Sequence, residues 1–185
     1  MQNKFLISLF IIFLFFSTKS LKAQQKDIYN FSADKITYTQ DNNIIEATGN
    51  VSAKNQDGNQ IFADRLIYNK TNQLLKTFGN SRFLDSKNNT LFAENFEYDL
   101  EKKIITAQNK VKFSDNRKNL YYFSKIVADD KFNEIIGYDL DSNLNKEKFK
   151  SRDKFNEFVE PRLSGKEASI KGNICLLYTS PSPRD

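Results

Sequence analysis

The sequence repeats every thirty residues without a gap, and that register restricts what the chain can fold into. "ADKITYTQDNNIIEATGNVSAKNQDGNQIF" (33–62) is followed directly by "ADRLIYNKTNQLLKTFGNSRFLDSKNNTLF" (63–92) and "AENFEYDLEKKIITAQNKVKFSDNRKNLYY" (93–122). Ala33, Ala63 and Ala93 recur in register, as do Tyr38, Tyr68 and Tyr98, and Ile44, Leu74 and Ile104. A weaker fourth copy, "SKIVADDKFNEIIGYDLDSNL", aligns Ile135-Ile136 with Ile44-Ile45 once one inserted residue is allowed.

Each copy carries two runs of period-two alternation. In "LLKTFGNSRFL", Leu75, Thr77, Gly79, Ser81 and Phe83 share one side, opposite Lys76, Phe78, Asn80 and Arg82. Such runs, bounded by Asn, Asp, Gly and Lys clusters, predict strands joined by tight turns, and no sustained 3.6-residue period competes. "NQDGNQ" and "DSKNNT" supply turn residues that tolerate positive φ. Gly49-Asn50 and Gly79-Asn80 fall inside strand runs and read as bulges, where glycine permits a kink. The third copy has Asn109-Lys110 there, so the curl is expected to relax at that point. Two-strand units cannot close a core singly, so stacking into a curled, repeat-built all-β structure is expected. Its inner face reads small and apolar at Ala47, Val51, Ala107 and Val111, flanked by Ile45, Leu75, Phe83, Ile105 and Phe113. These nine residues suit either of two uses, a packed core or a groove for an apolar ligand.

The ends of the chain differ from the repeats. Lys4, the apolar run Phe5–Phe16 and "SLKAQ" give residues 1–23 the form of a signal peptide, with cleavage after Ala23. The run is short for a membrane span, which needs roughly 20 residues. "CLLYTSPSPRD" (175–185) matches word for word the translation of a transposase sequencing adapter, so the authentic protein is read as continuing beyond Ile174 in another sequence. The chain of 185 residues then divides into a signal peptide (1–23), a β domain (28–140), a connector (141–174) and the adapter-like tail (175–185). The formal net charge of +5 falls to +2 once Lys4, Lys19, Lys22, Arg184 and Asp185 are set aside. A nearly neutral domain carries no electrostatic signal for nucleic acid.

Catalytic constellations are scarce. The chain has no His, and its one Cys lies in the tail, which excludes imidazole and thiol chemistry. The glycines form no phosphate-binding pattern. The carboxylates of "ADD" (128–130) and "DLD" (139–141) fit neither a calcium loop nor a designed acid/base pair, and sit among residues typical of solvated turns. No enzyme, metal or cofactor is expected. An exported β domain of this kind is a binding, bridging or scaffold module.

The residues that carry the repeat also carry a resemblance. Ala33-Asp34, Ala63-Asp64, Tyr38, Tyr68 and the small–X–Gly–Asn steps at Ala47–Asn50 and Thr77–Asn80 resemble the pattern of the organic-solvent-tolerance (OstA-like) domain over about residues 28–140. Glu94 and Asn109-Lys110 depart from it. The resemblance implies an open, V-shaped β-jellyroll of the periplasm. Its interior would shield the lipid A acyl chains of lipopolysaccharide, and its edge strands would pair with other OstA-like domains. It turns the expectation for the nine inner residues toward a lipid groove. "KFNEFVEPRLSGKEASIKGN", with Glu160-Pro161-Arg162 and Gly165, resembles the connector that precedes the barrel of outer-membrane lipopolysaccharide-assembly proteins. Such a protein would also take an outer-membrane lipoprotein partner. The alternatives are a stand-alone periplasmic bridge protein and a purely structural envelope repeat.

Overall fold

A computed structural model describes residues 29–39, 41–145, 162–172 and 174–178. The expected signal peptide lies outside the described residues, as do residues 179–185 of the tail. Among the described residues every regular element is a strand: β1 (Tyr29–Ser32), β2 (Lys35–Tyr38), β3 (Ile44–Asn55), β4 (Gln60–Asn69), β5 (Leu74–Leu84), β6 (Thr90–Asp99), β7 (Ile104–Ser114), β8 (Leu120–Asp129), β9 (Glu134–Asn143), β10 (Arg162–Lys171) and β11 (Ile174–Tyr178). They form one antiparallel sheet in which β3 to β11 follow chain order, while β1 and β2 share the outer edge of β3. That edge is not joined to β11, so the sheet is open. It nevertheless coils over its own inner face. Phe31 on β1 meets the Tyr68 ring on β4 at 5.9 Å, and Phe83 on β5 meets Phe132 in the β8–β9 turn at 5.7 Å. The architecture is the all-β, open jellyroll that the repeats and the resemblance led us to expect.

The alternation seen in the sequence is the burial pattern. On β5, Leu75, Thr77, Ser81 and Phe83 are buried while Lys76, Phe78 and Asn80 face solvent. Pairing preserves the thirty-residue offset: Phe31 opposes Ala53 as Ile61 opposes Phe83, and Ile36 opposes Ala47 as Leu66 opposes Thr77. Strands β1 and β2 are therefore together the equivalent of β4, interrupted at Ala33-Asp34. Ile61, Leu66, Leu75, Phe83, Leu91, Ile105 and Ile126 have no exposed surface. Each such burial is worth roughly 1.5–3 kcal/mol. Inner polar groups are paired: Thr77 Oγ1 accepts from Phe96 N at 3.1 Å and donates to Phe96 O at 3.2 Å.

The Gly-Asn steps are bulges. Gly49 (φ 76°) and Asn50 (φ 47°), then Gly79 (φ 69°) and Asn80 (φ 44°), place two successive residues in the left-handed region. One extra residue of β3 and of β5 consequently opposes each neighbouring strand. An aspartate clamps each bulge, Asp34 from the link between β1 and β2 and Asp64 from β4. Asn50 Nδ2 donates to Asp34 Oδ2 at 3.0 Å, and Asn80 Nδ2 to Asp64 Oδ2 at 2.9 Å. The carboxylate lies so close over the glycine that a Cβ on Gly49 or Gly79 would collide with it.

The third copy does not relax, contrary to the sequence-based expectation. Asn109 (φ 64°) and Lys110 (φ 53°) keep the left-handed pair, and the register of β7 shifts against both neighbours. The two departures of this copy are one exchange. Glu94 stands where Asp34 and Asp64 clamp the earlier bulges, and Asn109, a residue type that tolerates positive φ, stands at the glycine position. The bulge disappears in the fourth copy. Strands β8 and β9 pair without a shift, with Asp139 (φ 52°) alone in the left-handed region. Ile135 opposes Ala128 as Ile105 opposes Tyr98, so Ile135 takes the place of Ile105 with no insertion at the turn. The irregularity of the fourth copy is thus a missing bulge residue in β9 and not an inserted turn residue.

Turns are held on the same period. Asp85 Oδ1 accepts from Asn89 N and Asp115 Oδ1 from Asn119 N, both at 2.8 Å. Asn89 Oδ1 then receives Asn116 N at 2.9 Å and Asn119 Oδ1 receives Asn145 N at 2.8 Å, tying each turn to the next. At the opposite end Lys70 N, Leu100 N and Asp130 N donate to the carbonyls of Asn43, Gln73 and Lys103.

Two segments depart from the expected layout. Arg162–Lys171, expected within a connector, continues the sheet as β10 against the full length of β9. Ser142 Oγ accepts from Leu163 N at 2.9 Å and donates to Leu163 O at 3.0 Å, and Ala168 is fully buried. Cys175–Tyr178 of the adapter-like tail pairs with β10 as part of β11. An unpaired edge accepts any short extended segment through its backbone groups, whatever that segment's origin.

A polar cluster lies inside the coil. Tyr98 OH donates to the buried Asp130 Oδ2 at 2.8 Å, and Asn55 Nδ2 reaches Tyr29 OH at 3.5 Å. Burial, then the neighbouring Tyr29 and Asp130, hold the Tyr98 hydroxyl far above its usual pKa. Tyr29 is raised chiefly by burial, and Tyr121, nearer the surface, is pushed up to about 12 by burial and by Asp115.

Two outcomes follow for stability. Gly79→Ala should cost about 1–3 kcal/mol through its left-handed backbone and the lost clamp. In an Asp64→Ala background the added cost should be smaller, a coupling that a denaturant double-mutant cycle reads directly. Buried tyrosines that resist ionisation leave stability intact below the unfolded tyrosine pKa of about 10 and lose it as pH rises beyond, because the unfolded chain releases protons first. Tyr98→Phe should lower neutral stability by about 1–3 kcal/mol by orphaning Asp130 and should make the alkaline limb shallower. Thermal unfolding followed against pH checks both.

Candidate functional site

The nine inner residues come together. Ile45, Ala47 and Val51 lie on β3, Leu75 and Phe83 on β5, and Ile105, Ala107, Val111 and Phe113 on β7, all within one contiguous apolar cluster. None exceeds 4% exposure. They share a face because each lies at a whole number of thirty-residue steps, or an even number of residues within its strand, from the others. The bulges add two left-handed residues without breaking this parity, so Ala47 and Val51 both point inward across Gly49-Asn50.

The even-numbered strands line the same interior, a contribution the sequence reading left out. Leu66 and Tyr68 of β4, Leu91, Phe96 and Tyr98 of β6, and Ile126 of β8 belong to this cluster. Their signal was present in the alternation of "ADRLIYN" and its copies. Phe132 carried no such signal. It sits in the β8–β9 turn with φ 52°, where the other copies have polar residues, and its ring packs against Phe113 at 4.8 Å and Phe83 at 5.7 Å. A bulky side chain in the left-handed region is strained, and the aromatic packing holds it there. The interior is thus filled by its own side chains, with Phe83 meeting Phe96, Tyr98 and Phe132 edge-on.

The acidic motifs have local partners. Asp129 accepts from Glu134 N at 2.7 Å and from Asn133 Nδ2 at 2.9 Å, Asp130 takes the Tyr98 hydroxyl, and Asp139 takes Ser124 Oγ at 2.7 Å. Among the described residues no three His, Cys, Asp or Glu side chains converge as a metal site would require. The geometry offers an apolar interior, two sheet edges and an outer face, and these suit binding.

Comparison with known proteins agrees with this architecture. No sequence of a curated protein matches the chain. Among solved structures the fold is similar to that of LptH from Pseudomonas aeruginosa, described as the LptA homologous periplasmic component of the conserved lipopolysaccharide transport device. The two are 13% identical, the match covers 84% of this chain and 90% of that one, and the TM-score is 0.50. At that identity the likeness is one of fold. The family model described as OstA-like protein matches residues 17–132, well over half of the 185 residues. The chain belongs to the OstA-like protein family.

Proposed function

We propose that this chain serves lipopolysaccharide transport in the periplasm without catalysis, shielding lipid A acyl chains on the inner face of the jellyroll. The observation that carries the reading is a continuous apolar face, contributed by every strand from β3 to β8, inside a sheet whose two edges remain unjoined. Because the two edges are unjoined, a ligand can enter from the side without any backbone pair being broken. An open coil needs only to part its walls. Each acyl CH₂ taken from water is worth about 0.8 kcal/mol, so several methylenes offset the separation of side chains that pack on one another in the empty interior. The saccharide head stays in water at the open side. Membership of the OstA-like family and the fold shared with LptH support this assignment.

The finer proposal is that the chain is the N-terminal domain of an outer-membrane lipopolysaccharide-assembly protein, with a lipoprotein partner and neighbouring OstA-like domains at its edges. A stand-alone periplasmic bridge is the alternative. An uninterrupted gene decides between them, since several hundred further strand-rich residues favour the assembly protein and an early stop favours the bridge. A purely structural envelope module is favoured by one observation, the close packing of the interior around Phe83 and Phe132.

A photocrosslinking amino acid at Phe83 or Phe113 tests the transport reading in cells. Lipopolysaccharide adducts are expected from both inner positions and not from Lys76, which is exposed on the outer face. Absence of adducts at all inner positions, while a bridge protein crosslinks in parallel, overturns the transport reading and leaves the structural one.

A further inference from the structure

The outer face of the sheet carries a row that the transport reading does not use. Cross-strand pairing places Phe62, Arg82, Phe92, Lys112 and Tyr122 side by side on β4 to β8. Aromatic and cationic residues alternate along this row, and the thirty-residue period makes the alternation regular. The Arg82 guanidinium lies over the Phe62 ring at 4.1 Å, and Lys112 Nζ over the Phe92 ring at 5.9 Å. Phe92 and Tyr122 remain 38% and 37% exposed. The row borders a groove of about 690 Å³ beside Gly79 at the β5 bulge, with Phe62, Arg82, Phe92 and Lys110 among its walls. Among the described residues no carboxylate lies within ion-pair distance of Arg82, Lys110 or Lys112, although Glu94 also lines the groove. By contrast, Arg65 and Lys76 on the same face are neutralised by Glu46 and Glu97.

The geometry points to a binding groove for an extended anionic oligosaccharide, laid across the strands along this row. Aromatic rings on alternate strands are about 9.5 Å apart, a spacing that suits successive disaccharides of an extended chain. The apolar C–H face of a pyranose packs on the exposed parts of Phe92 and Tyr122, and the acidic substituents of the sugar meet the cations beside them. Each cation is already held over a ring, so little further ordering is needed to present its donors. Groove curvature favours a chain over a flat bilayer surface, and the regular alternation favours a ligand with its own short repeat. This site is on the opposite face from the inner cluster and stands whether or not the interior takes lipid.

The test uses the full chain and a labelled octamer of galacturonic acid, with neutral maltooctaose, an octameric oligothymidylate and phosphatidylglycerol vesicles as comparators. Binding of the acidic octamer is expected, with neutral maltooctaose at least about tenfold weaker. Arg82→Ala with Lys112→Ala should weaken it by about tenfold or more and flatten its salt dependence, and Phe92→Leu should weaken it several-fold at unchanged charge. Unfolding temperatures check each variant, and Arg82→Gln with Lys112→Gln replaces any that is destabilised. Equal binding of the neutral octamer overturns the proposal, as does binding only to vesicles or no binding at all. Oligothymidylate binding as tight as the sugar's, with Phe92→Leu silent, also overturns it by reducing the row to a general polyanion surface.

Discussion

Two successive left-handed residues on β3, β5 and β7 set one extra residue against each neighbouring strand, and they do so in the same column of the sheet. A single bulge bends and twists a strand locally. Three of them aligned at thirty-residue intervals bend the whole sheet along one line, and this is what gives a simple meander an inside. Each bulge depends on its clamp. The aspartate before it in the repeat caps the bulge asparagine and crowds the glycine, so the pair Asp-Gly behaves as one unit. The third copy shows the unit changing together, with Glu94 opposite Asn109-Lys110, while the backbone it specifies stays the same.

Strand parity and the repeat were legible because both are local and periodic. Burial of Leu75, Thr77, Ser81 and Phe83 against exposure of Lys76, Phe78 and Asn80 could be read from alternation alone. The bulge was legible at Gly49 and Gly79, where an unusual residue marks an unusual backbone. It was not legible at Asn109-Lys110, because the steric demand for glycine comes from a residue on another strand. The fourth copy is ambiguous in sequence because Ile135-Ile136 matches Ile44-Ile45 with one insertion, while Ile135 matches Ile45 with none. Only pairing distinguishes them. Phe132 escaped notice because a turn position carries no periodic expectation, and its burial depends on how far the coil brings the turn back toward Phe83 and Phe113. The added strands β10 and β11 reflect the tolerance of an open edge more than any strong pattern in their residues.

The missing bulge on β9 marks the limit of the repeated curl. Its loss is accompanied by an exchange of volume across β8 and β9. Phe123 stands where the earlier copies have Ala33, Ala63 and Ala93, and Gly137 stands where they have Ala47, Thr77 and Ala107. A Cβ on Gly137 would enter the Phe123 ring. The ring therefore occupies the room that the absent Gly137 side chain leaves, and the inner face stays continuous across β8 and β9. Side-chain volume is exchanged between neighbouring strands here, as close packing of interiors requires.

The same column shapes both faces of the sheet. Toward the inside it brings Ala47 and Val51, and Ala107 and Val111, to one apolar wall although two left-handed residues separate each pair. Toward the outside it opens the groove beside Gly79 and turns Phe62, Arg82 and Phe92 toward a common line. A substitution that removes the kink would therefore disturb both surfaces at once. One that alters only an outward side chain, such as Lys112, leaves the interior untouched. The column thus gives the sheet an apolar inner surface and a cationic, aromatic outer one, separated by its own thickness. The two surfaces share a backbone but no side chains, so the chain can vary one without rebuilding the other.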